Sequence, residues 1–319
     1  MISNEYYNKL KESKWECLEL IEGDVIQNLV DAFISTTYAQ LDSPITEVLD
    51  ELLENGVTSV ELGSIHCFEK DVAEKLKGRP FSYLVHNYFP PPSDPFVVNL
   101  ASANKEIRDR SIKYAQECIS SAAAIGAELY TFHPGFISDP IGRSTDNSNY
   151  DFIVADTVSS KHNYEYAFEK FLDATNILCT TAKSEGIAIA VETQGSISRS
   201  DNILFHHPEE VERFITLFTA DQVGLNVNLG HLNLSAQYHK FDKLQFINRF
   251  ADRIRAFELS HNDGVKDDHA LLQKNGWYWA VIKEPKYKKI YKIFEGRDLK
   301  LKSVIKMFGL INQLSKENE

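Results

Sequence analysis

The stretch Gly186–Gly195, GIAIAVETQG, decides the fold. Its apolar run at residues 187–191 is short and continuous, which is typical of a strand covered on both faces in a parallel sheet. A carboxylate, Glu192, follows at once. In α/β barrels the carboxyl ends of the parallel strands carry the active site, so this stretch predicts an acidic side chain at a barrel mouth. From this stretch alone, a solvated or salt-bridged strand-end residue is an equal alternative.

Seven other segments have strand patterns, and most of them alternate with helical patterns. The predicted strands are residues 33–37, 57–62, 81–85, 128–132, 222–227, 253–257 and 289–294. The predicted helices are residues 44–56, 68–77, 104–125, 164–184, 208–219 and 299–314, with a short or replaced helix before the last strand. We therefore predict an α/β fold, a single (β/α)8 TIM barrel over residues 31–319, preceded by a short helical extension over residues 1–30.

Composition limits the classes of protein that the chain can belong to. Its 319 residues are 43% hydrophobic and 25% charged, which is enough for a large core. A net charge of −12 repels nucleic acid, and no apolar run approaches the roughly 20 residues of a membrane span. The first 30 residues carry no signal-peptide pattern, and four widely spaced cysteines favour reduced thiols. We expect a cytoplasmic protein; the sequence is also compatible with a homo-oligomer.

Residues 136–162 are polar and rich in Asp, Ser and Asn, which predicts an irregular loop. A loop of this length in a compact domain is usually functional, for instance as a lid over the mouth of the barrel. Disorder without function is the alternative.

Side chains that bind metals or transfer protons follow six of the predicted strands. They are His86, His133, Glu192, Asn228 with His231, Glu258 with His261, and Glu295, and the seventh loop adds Asp267, Asp268 and His269. In a closed barrel these positions converge on one mouth, and imidazole with carboxylate suits Zn²⁺, Mn²⁺ or a related divalent ion. Any one of these histidines alone would more often be structural, but six such strand ends are hard to obtain by chance.

The same residues carry a family resemblance. HNYFPPPSDPFVVNLAS begins at His86, LYTFHPG contains His133, and VETQG contains Glu192. NLGHL, HNDG followed by DDH, and a late glutamate then come in the same order. In this order the motifs resemble endonuclease IV within the xylose-isomerase-like TIM-barrel superfamily, which also contains sugar isomerases and epimerases. The resemblance runs from about residue 30 to residue 300.

The resemblance implies roles for individual residues. His86, His133 and Glu192 match the ligands of one metal, and His231, Asp267 and His269 match the ligands of a third metal. In the same resemblance, Glu192 also bridges to a second metal, and Glu295 matches a second carboxylate ligand of that metal. In the epimerase branch, the residues at Glu192 and Glu295 bind a single metal and exchange the substrate proton, while the histidine at position 231 contacts substrate.

The chain departs from the family pattern at two positions. Asn228 stands where the family usually has Asp, and Glu258 stands where it usually has His. The central metal set would then be Glu192, Asn228, Glu258 and Glu295. Because all four ligands offer oxygen, this set favours Mn²⁺ or Mg²⁺ over Zn²⁺.

The first functional hypothesis is a metal-dependent isomerase or epimerase of a sugar or sugar phosphate. A divalent ion (Mn²⁺, Zn²⁺ or Mg²⁺) would stabilise an enediolate, while Glu192 and Glu295 pass the proton as base and acid. His231 would orient a substrate oxygen. His261, Asp263 and Arg199 are the predicted substrate-binding residues, and the expected partner is a small sugar.

Two alternatives remain open. An endonuclease IV-like phosphodiesterase acting on damaged DNA is supported by His86, His133, His231 and His269. The net charge opposes a nucleic-acid partner, unless a basic stripe such as KEPKYKKIYK at residues 283–292 counters it. That segment is otherwise a solvated surface loop. A catalytically lapsed barrel that serves as a binding protein is suggested by Asn228 and Glu258.

Overall fold

Eight parallel strands close into a barrel. The structure is a computed structural model that describes residues 32–143, 152–154, 161–195 and 202–316. The barrel strands are β1 (Ala32–Ser35), β2 (Ser59–Leu62), β3 (Ser82–His86), β4 (Leu129–Phe132), β7 (Ala188–Glu192), β8 (Gly224–Asn228), β9 (Ile254–Leu259) and β10 (Tyr291–Phe294). Their spatial order is β1-β10-β9-β8-β7-β4-β3-β2, which confirms the predicted (β/α)8 barrel. The expected extension over residues 1–30 lies outside the described residues.

Helices lie between the strands along the chain. The described helices are α1 (Ile45–Glu54), α2 (Val72–Leu76), α3 (Lys105–Ala124), α4 (Lys161–Glu185), α5 (Pro208–Leu217), α6 (Leu229–His239), α7 (Lys243–Arg249), α8 (Trp279–Ile282) and α9 (Leu301–Lys316). None of them is long and apolar enough to cross a membrane. The four-residue α8 agrees with the short helix expected before the last strand.

The sequence did not reveal α6 and α7. Helix α6 is buried along most of its length, at Leu229, Gly230, His231, Leu232, Leu234, Ser235 and Ala236. A helix covered on all sides lacks the apolar stripe that marks a surface helix, so its period is hard to detect. Its first turn is nevertheless well defined, because the Asn228 side chain accepts a hydrogen bond from the backbone N–H of His231 at 3.1 Å.

The polar segment after β4 is more regular than predicted. Two further strands, β5 (Pro140–Arg143) and β6 (Phe152–Val154), form a separate antiparallel pair. The apolar, partly β-branched run at residues 152–154 suits a strand, which the surrounding Asp, Ser and Asn residues had obscured. A role for this pair as a lid stays a prediction.

The barrel interior beneath the mouth is apolar. Six apolar side chains fill it, one each from β1, β3, β4, β7, β9 and β10: Phe33, Leu84, Leu129, Ala190, Ala256 and Ile293. A larger core packs between the outer faces of the strands and the helices. The polar residues at the strand ends therefore lie on an apolar floor.

The basic segment at residues 283–292 leads into β10 and includes the first two residues of that strand, so it lies at the end of the barrel opposite the mouth. Its last lysine, Lys292, is 1% exposed. The Lys292 ammonium donates hydrogen bonds of 3.0–3.1 Å to the carbonyl oxygens of Tyr287, Lys288 and Ile290. This lysine therefore serves the fold and not a surface stripe.

A glycine holds the turn that follows His133. Gly135 has φ +104°, and a Cβ atom there would lie 2.9 Å from the backbone nitrogen of Leu100 and would also clash with Asn99 Oδ1. That Asn99 oxygen accepts the backbone N–H of Phe136 at 2.8 Å. The turn therefore needs both the left-handed conformation and the missing side chain.

We expect Gly135→Ala to lower the free energy of unfolding by about 1–3 kcal/mol, because it combines backbone strain with a clash. Urea denaturation followed by circular dichroism measures the change. Gly126→Ala is the matched control, since Gly126 has φ +76° but no atom within 4 Å of its added Cβ. Equal losses in the two variants would contradict the proposed clash.

Candidate metal centre

The barrel brings the predicted strand-end side chains together at one mouth. His86, Glu192 and Asn228 end β3, β7 and β8, while His133 and Glu295 follow β4 and β10 directly. Parallel strands place their carboxyl ends on the same side of a barrel, which is why residues distant in sequence meet there.

The first potential metal group, the His133 group, consists of His86, His133 and Glu192. His133 Nε2 lies 2.8 Å from Glu192 Oε2 and 3.1 Å from His86 Nε2, and His86 Nε2 lies 3.5 Å from the same carboxylate oxygen. The opposite ring nitrogen of His86 lies 2.8 Å from Thr131 Oγ1, which fixes the imidazole plane. Since the side chain of His133 is 29% exposed, this group is open to solvent.

The second potential metal group, the Asp267 group, consists of His231, Asp267 and His269. Asp267 Oδ2 lies 3.2 Å from His231 Nε2 and 2.8 Å from His269 Nε2. The other ring nitrogens are also held, His231 Nδ1 by the Thr193 carbonyl oxygen at 2.9 Å and His269 Nδ1 by a Glu295 oxygen at 2.9 Å. Both imidazoles are therefore oriented with one nitrogen facing the aspartate, as in metal sites.

Asn228 lies between the two groups. Its amide nitrogen donates to Glu192 Oε1 at 3.1 Å, to Glu258 Oε2 at 2.8 Å and to Glu295 Oε2 at 3.3 Å. Its amide oxygen is used by the cap of α6 on His231. Turning the oxygen toward a central metal would break that cap. It would also place the Asn228 amide N–H against the backbone N–H of His231, and both are donors. The geometry therefore fits the central set poorly, and Asn228 as a ligand stays a prediction.

The carboxyl groups of the mouth are all buried, and the charges beside them divide them into two kinds. Although burial raises the pKa of Glu192, His133 and His231 hold it well below its usual range. Burial also raises the pKa of Glu295, but His269 and Arg297 lower it by more, and it falls to about 2. In contrast, burial and then the neighbouring Glu192 raise the pKa of Glu258 well above its usual range. Glu192 and Glu295 are thus ionised carboxylates, and they lie beside Glu258, a carboxyl group that favours its proton.

His86 is prepared to act as a ligand. Its burial lowers the pKa of the imidazole to about 4, against the opposing attraction of Glu192. At neutral pH the ring is therefore uncharged and keeps a lone pair, which is the form that binds metals.

The predicted substrate-binding residues have other contacts in the structure. His261 and Ala270 form an isolated antiparallel bridge, with N–H to O distances of 2.9 and 3.0 Å, which closes the loop that carries Asp267 and His269. Asp263 is exposed, and its Oδ1 accepts the backbone N–H of Val265 at 2.8 Å. Arg199 lies outside the described residues. Substrate contact by these three residues stays a prediction.

Sequence reasoning missed three residues at the mouth. Glu61 and Asn226 lie within β2 and β8, are buried, and point toward the other polar residues. Arg297 is exposed two residues after Glu295 and lowers the pKa of that carboxyl group. A signal existed for Glu61, because it lies between the apolar Val60 and Leu62 on a strand, where alternate side chains share a face.

Comparison with known proteins places the chain among barrels of this type. Residues 49–308 match the family model described as xylose isomerase-like TIM barrel. An uncharacterized protein of Methanocaldococcus jannaschii is 23% identical over 284 residues, or 88% of this chain and 92% of its own.

Solved structures show the same fold. A D-tagatose 3-epimerase-like protein superimposes with a TM-score of 0.68 at 15% identity, covering 91% of this chain and 98% of its own. Endonuclease IV from Thermus thermophilus superimposes with a TM-score of 0.56 at 14% identity, covering 90% of this chain and 98% of its own. At such identities the likeness concerns the fold alone.

We expect Asp267→Asn to remove one bound divalent ion per chain, because it takes away the charged ligand that joins His231 and His269. Metal content after reconstitution with Zn²⁺ or Mn²⁺, measured by elemental analysis, tests this. Asp263→Asn removes an exposed carboxylate from the same loop and should leave the content unchanged. If Asp267→Asn kept its full metal content, the Asp267 group would not be a metal site.

We expect Asn228→Asp to destabilise the metal-free protein by about 3 kcal/mol or more, because it adds an unpaired charge among three buried carboxyl groups. Mn²⁺ should restore most of this loss, which thermal melts with and without chelator measure. The control is Asn233→Asp, which adds the same charge to α6 beside the Lys243 ammonium. A melt of Asn228→Asp that does not depend on metal would contradict our account of Asn228.

Proposed function

The chain belongs to the xylose isomerase-like TIM-barrel family, and from this premise we propose that it is a metal-dependent isomerase or epimerase of a sugar or sugar phosphate. One observation carries the proposal. Glu192 and Glu295, two carboxylates with lowered pKa, both lie within 3.3 Å of the same Asn228 amide nitrogen at the mouth. Two carboxylates so close together suit the removal of a proton from one face of a carbon by one of them and, once the other has taken up a proton, the delivery of a proton to the opposite face.

The two oxygens of Glu192 have different surroundings. Oε2 faces His86 and His133, whereas Oε1 lies 3.0 Å from His231 Nδ1 and 3.1 Å from Asn228 Nδ2. The first oxygen would therefore be the ligand of the His133 group, and the second would meet a substrate in place of one of its two present partners. This division allows one carboxylate to hold a metal and to take a proton.

The proposed reaction then assigns a role to each side chain. A divalent ion bound at the mouth would polarise the carbonyl and neighbouring hydroxyl of the substrate. Glu192 would accept the proton of the carbon between these groups. Glu295, which is ionised at neutral pH, would first take up a proton from solvent and then give it to the other face of that carbon, while Glu192 returns its proton to solvent. His231 would orient a substrate oxygen that takes the place of Asp267 at Nε2, since Nδ1 is held by the Thr193 carbonyl oxygen.

The site also suggests the class of substrate. Buried carboxylates and imidazoles with hydrogen-bonding capacity suit a small polyhydroxylated molecule. The exposed Arg297, two residues after Glu295, is a cation that a substrate phosphate could reach. A small sugar or sugar phosphate is therefore the proposed partner, and Mn²⁺, Zn²⁺ or Mg²⁺ is the proposed cofactor.

The phosphodiesterase hypothesis is supported by the two histidine-containing groups, which the endonuclease IV resemblance also implies. The position of the basic segment at residues 283–292 argues against it, because this segment leads into the first residues of β10, at the end of the barrel away from the mouth. Nucleic acid bound at the mouth would not reach these cations, and the net charge of −12 would oppose it.

We expect Glu192→Gln to slow the exchange of substrate carbon-bound hydrogen with D₂O by at least about 100-fold, because the amide cannot accept the proton. Mass spectrometry of a panel of ketoses and ketose phosphates, incubated with the Mn²⁺-loaded protein, measures the exchange. Metal content is determined in parallel, since Glu192 is also a proposed ligand.

Glu128→Gln makes the same chemical change at the opposite end of the barrel, where Glu128 accepts a hydrogen bond from the Tyr291 hydroxyl at 2.7 Å. This control should exchange at the wild-type rate. Full exchange by metal-loaded Glu192→Gln would remove Glu192 from the mechanism, and absence of exchange by the wild type on every ketose would argue against the proposed function.

A further inference from the structure

A third group of potential ligands, the inner group, lies deeper in the barrel and consists of Glu61, His86 and Glu258. These residues are 1%, 7% and 2% exposed. Glu61 pairs in register with Leu84, which belongs to the apolar floor and precedes His86 by two residues on β3. The inner group therefore lies between the mouth and the floor.

The Glu61 carboxyl group has an oxygen without a hydrogen-bond partner among the described residues. Its Oε1 is buried and has no hydrogen-bond partner among the described residues, and the same is true of Asn226 Oδ1 nearby on β8. A buried polar atom without a partner costs free energy, so the fold would not retain it without compensation. The oxygen lies 3.9 Å from His86 Nδ1, so it points toward the other members of the inner group.

Two asparagines hold Glu258 in place. The amide of Asn226 donates to Glu258 Oε1 at 2.5 Å, and the amide of Asn228 donates to Oε2 at 2.8 Å. Asn228 therefore occupies one oxygen of this carboxyl group on the mouth side. The other oxygen lies 3.6 Å from His86 Nδ1, on the side of Glu61.

We propose that Glu61, His86 and Glu258 form an inner binding site for a small divalent cation, distinct from the His133 and Asp267 groups. One donor atom from each residue lies within 4.8 Å of the other two. Ligands that bind a common ion at about 2.1 Å are separated by about 3–4 Å, so small side-chain adjustments suffice. Two carboxylates with one imidazole nitrogen suit Mn²⁺ or Mg²⁺.

His86 connects this site to the His133 group. Its Nε2 faces His133 and Glu192, while its Nδ1 faces Glu61, Glu258 and the Thr131 hydroxyl. A neutral imidazole has one lone pair, so its tautomer decides which group it serves. The two groups therefore compete for His86, and the inner site is best measured after the His133 group has been weakened.

The test compares His133→Ala with the double variant His133→Ala/Glu61→Gln. Each protein is stripped with chelator and titrated with Mn²⁺, and free Mn²⁺ is counted by electron paramagnetic resonance. We expect the double variant to bind one Mn²⁺ fewer per chain than His133→Ala, since only the inner site has lost a ligand. Because the readout is metal stoichiometry, its outcome does not depend on the proposed reaction.

Two further variants complete the experiment. His133→Ala/Glu128→Gln is the matched control and should bind as many ions as His133→Ala. His133→Ala/Glu258→Gln should lose the same single ion as the Glu61 variant, which keeps the test decisive if one of them melts before titration. Equal Mn²⁺ stoichiometry in His133→Ala and in the folded Glu61 and Glu258 double variants would overturn the inner site.

Discussion

Five buried carboxyl groups at one end of the barrel impose the constraint on which the rest of the site depends. They are Glu61, Glu192, Glu258, Asp267 and Glu295, and taking ionised carboxylates out of water is costly unless each finds a partner. Four imidazoles and two asparagine amides from neighbouring strands and loops supply most of these partners. The barrel must close for the partners to meet, so the site and the fold form together.

Much of this arrangement could be predicted from the sequence because a parallel strand carries a local signal. A short apolar run such as residues 187–191 marks a strand covered on both faces, and the next polar residue marks its carboxyl end. His86, His133 and Glu192 could therefore be placed together without any knowledge of distances. The eight strands could be located for the same reason, although several of their boundaries differ from the prediction by one or two residues.

The parts of the site that could not be predicted depend on the direction and the burial of side chains, which the sequence does not show. Glu61 lies near the end of a predicted strand, and it faces the interior because its neighbours Val60 and Leu62 pack outward. Asn228 is predicted as an oxygen ligand, but its oxygen caps α6 and its nitrogen faces the carboxylates. Both outcomes follow from three-dimensional competition for hydrogen bonds, in which one residue has several potential partners.

The two departures from the family pattern are related through the sheet. Asn228 and Glu258 are partners in register on the adjacent strands β8 and β9. The carboxyl group that the family pattern has on β8 therefore stands on β9 in this chain, where burial and Glu192 raise its pKa. Glu258 lies beside His86, at 3.6 Å from its Nδ1, and beside Glu61, which raises its pKa. The amide of Asn228 donates hydrogen bonds to Glu258, Glu192 and Glu295, and so it links the carboxyl group on β9 to those that follow or end β10 and β7.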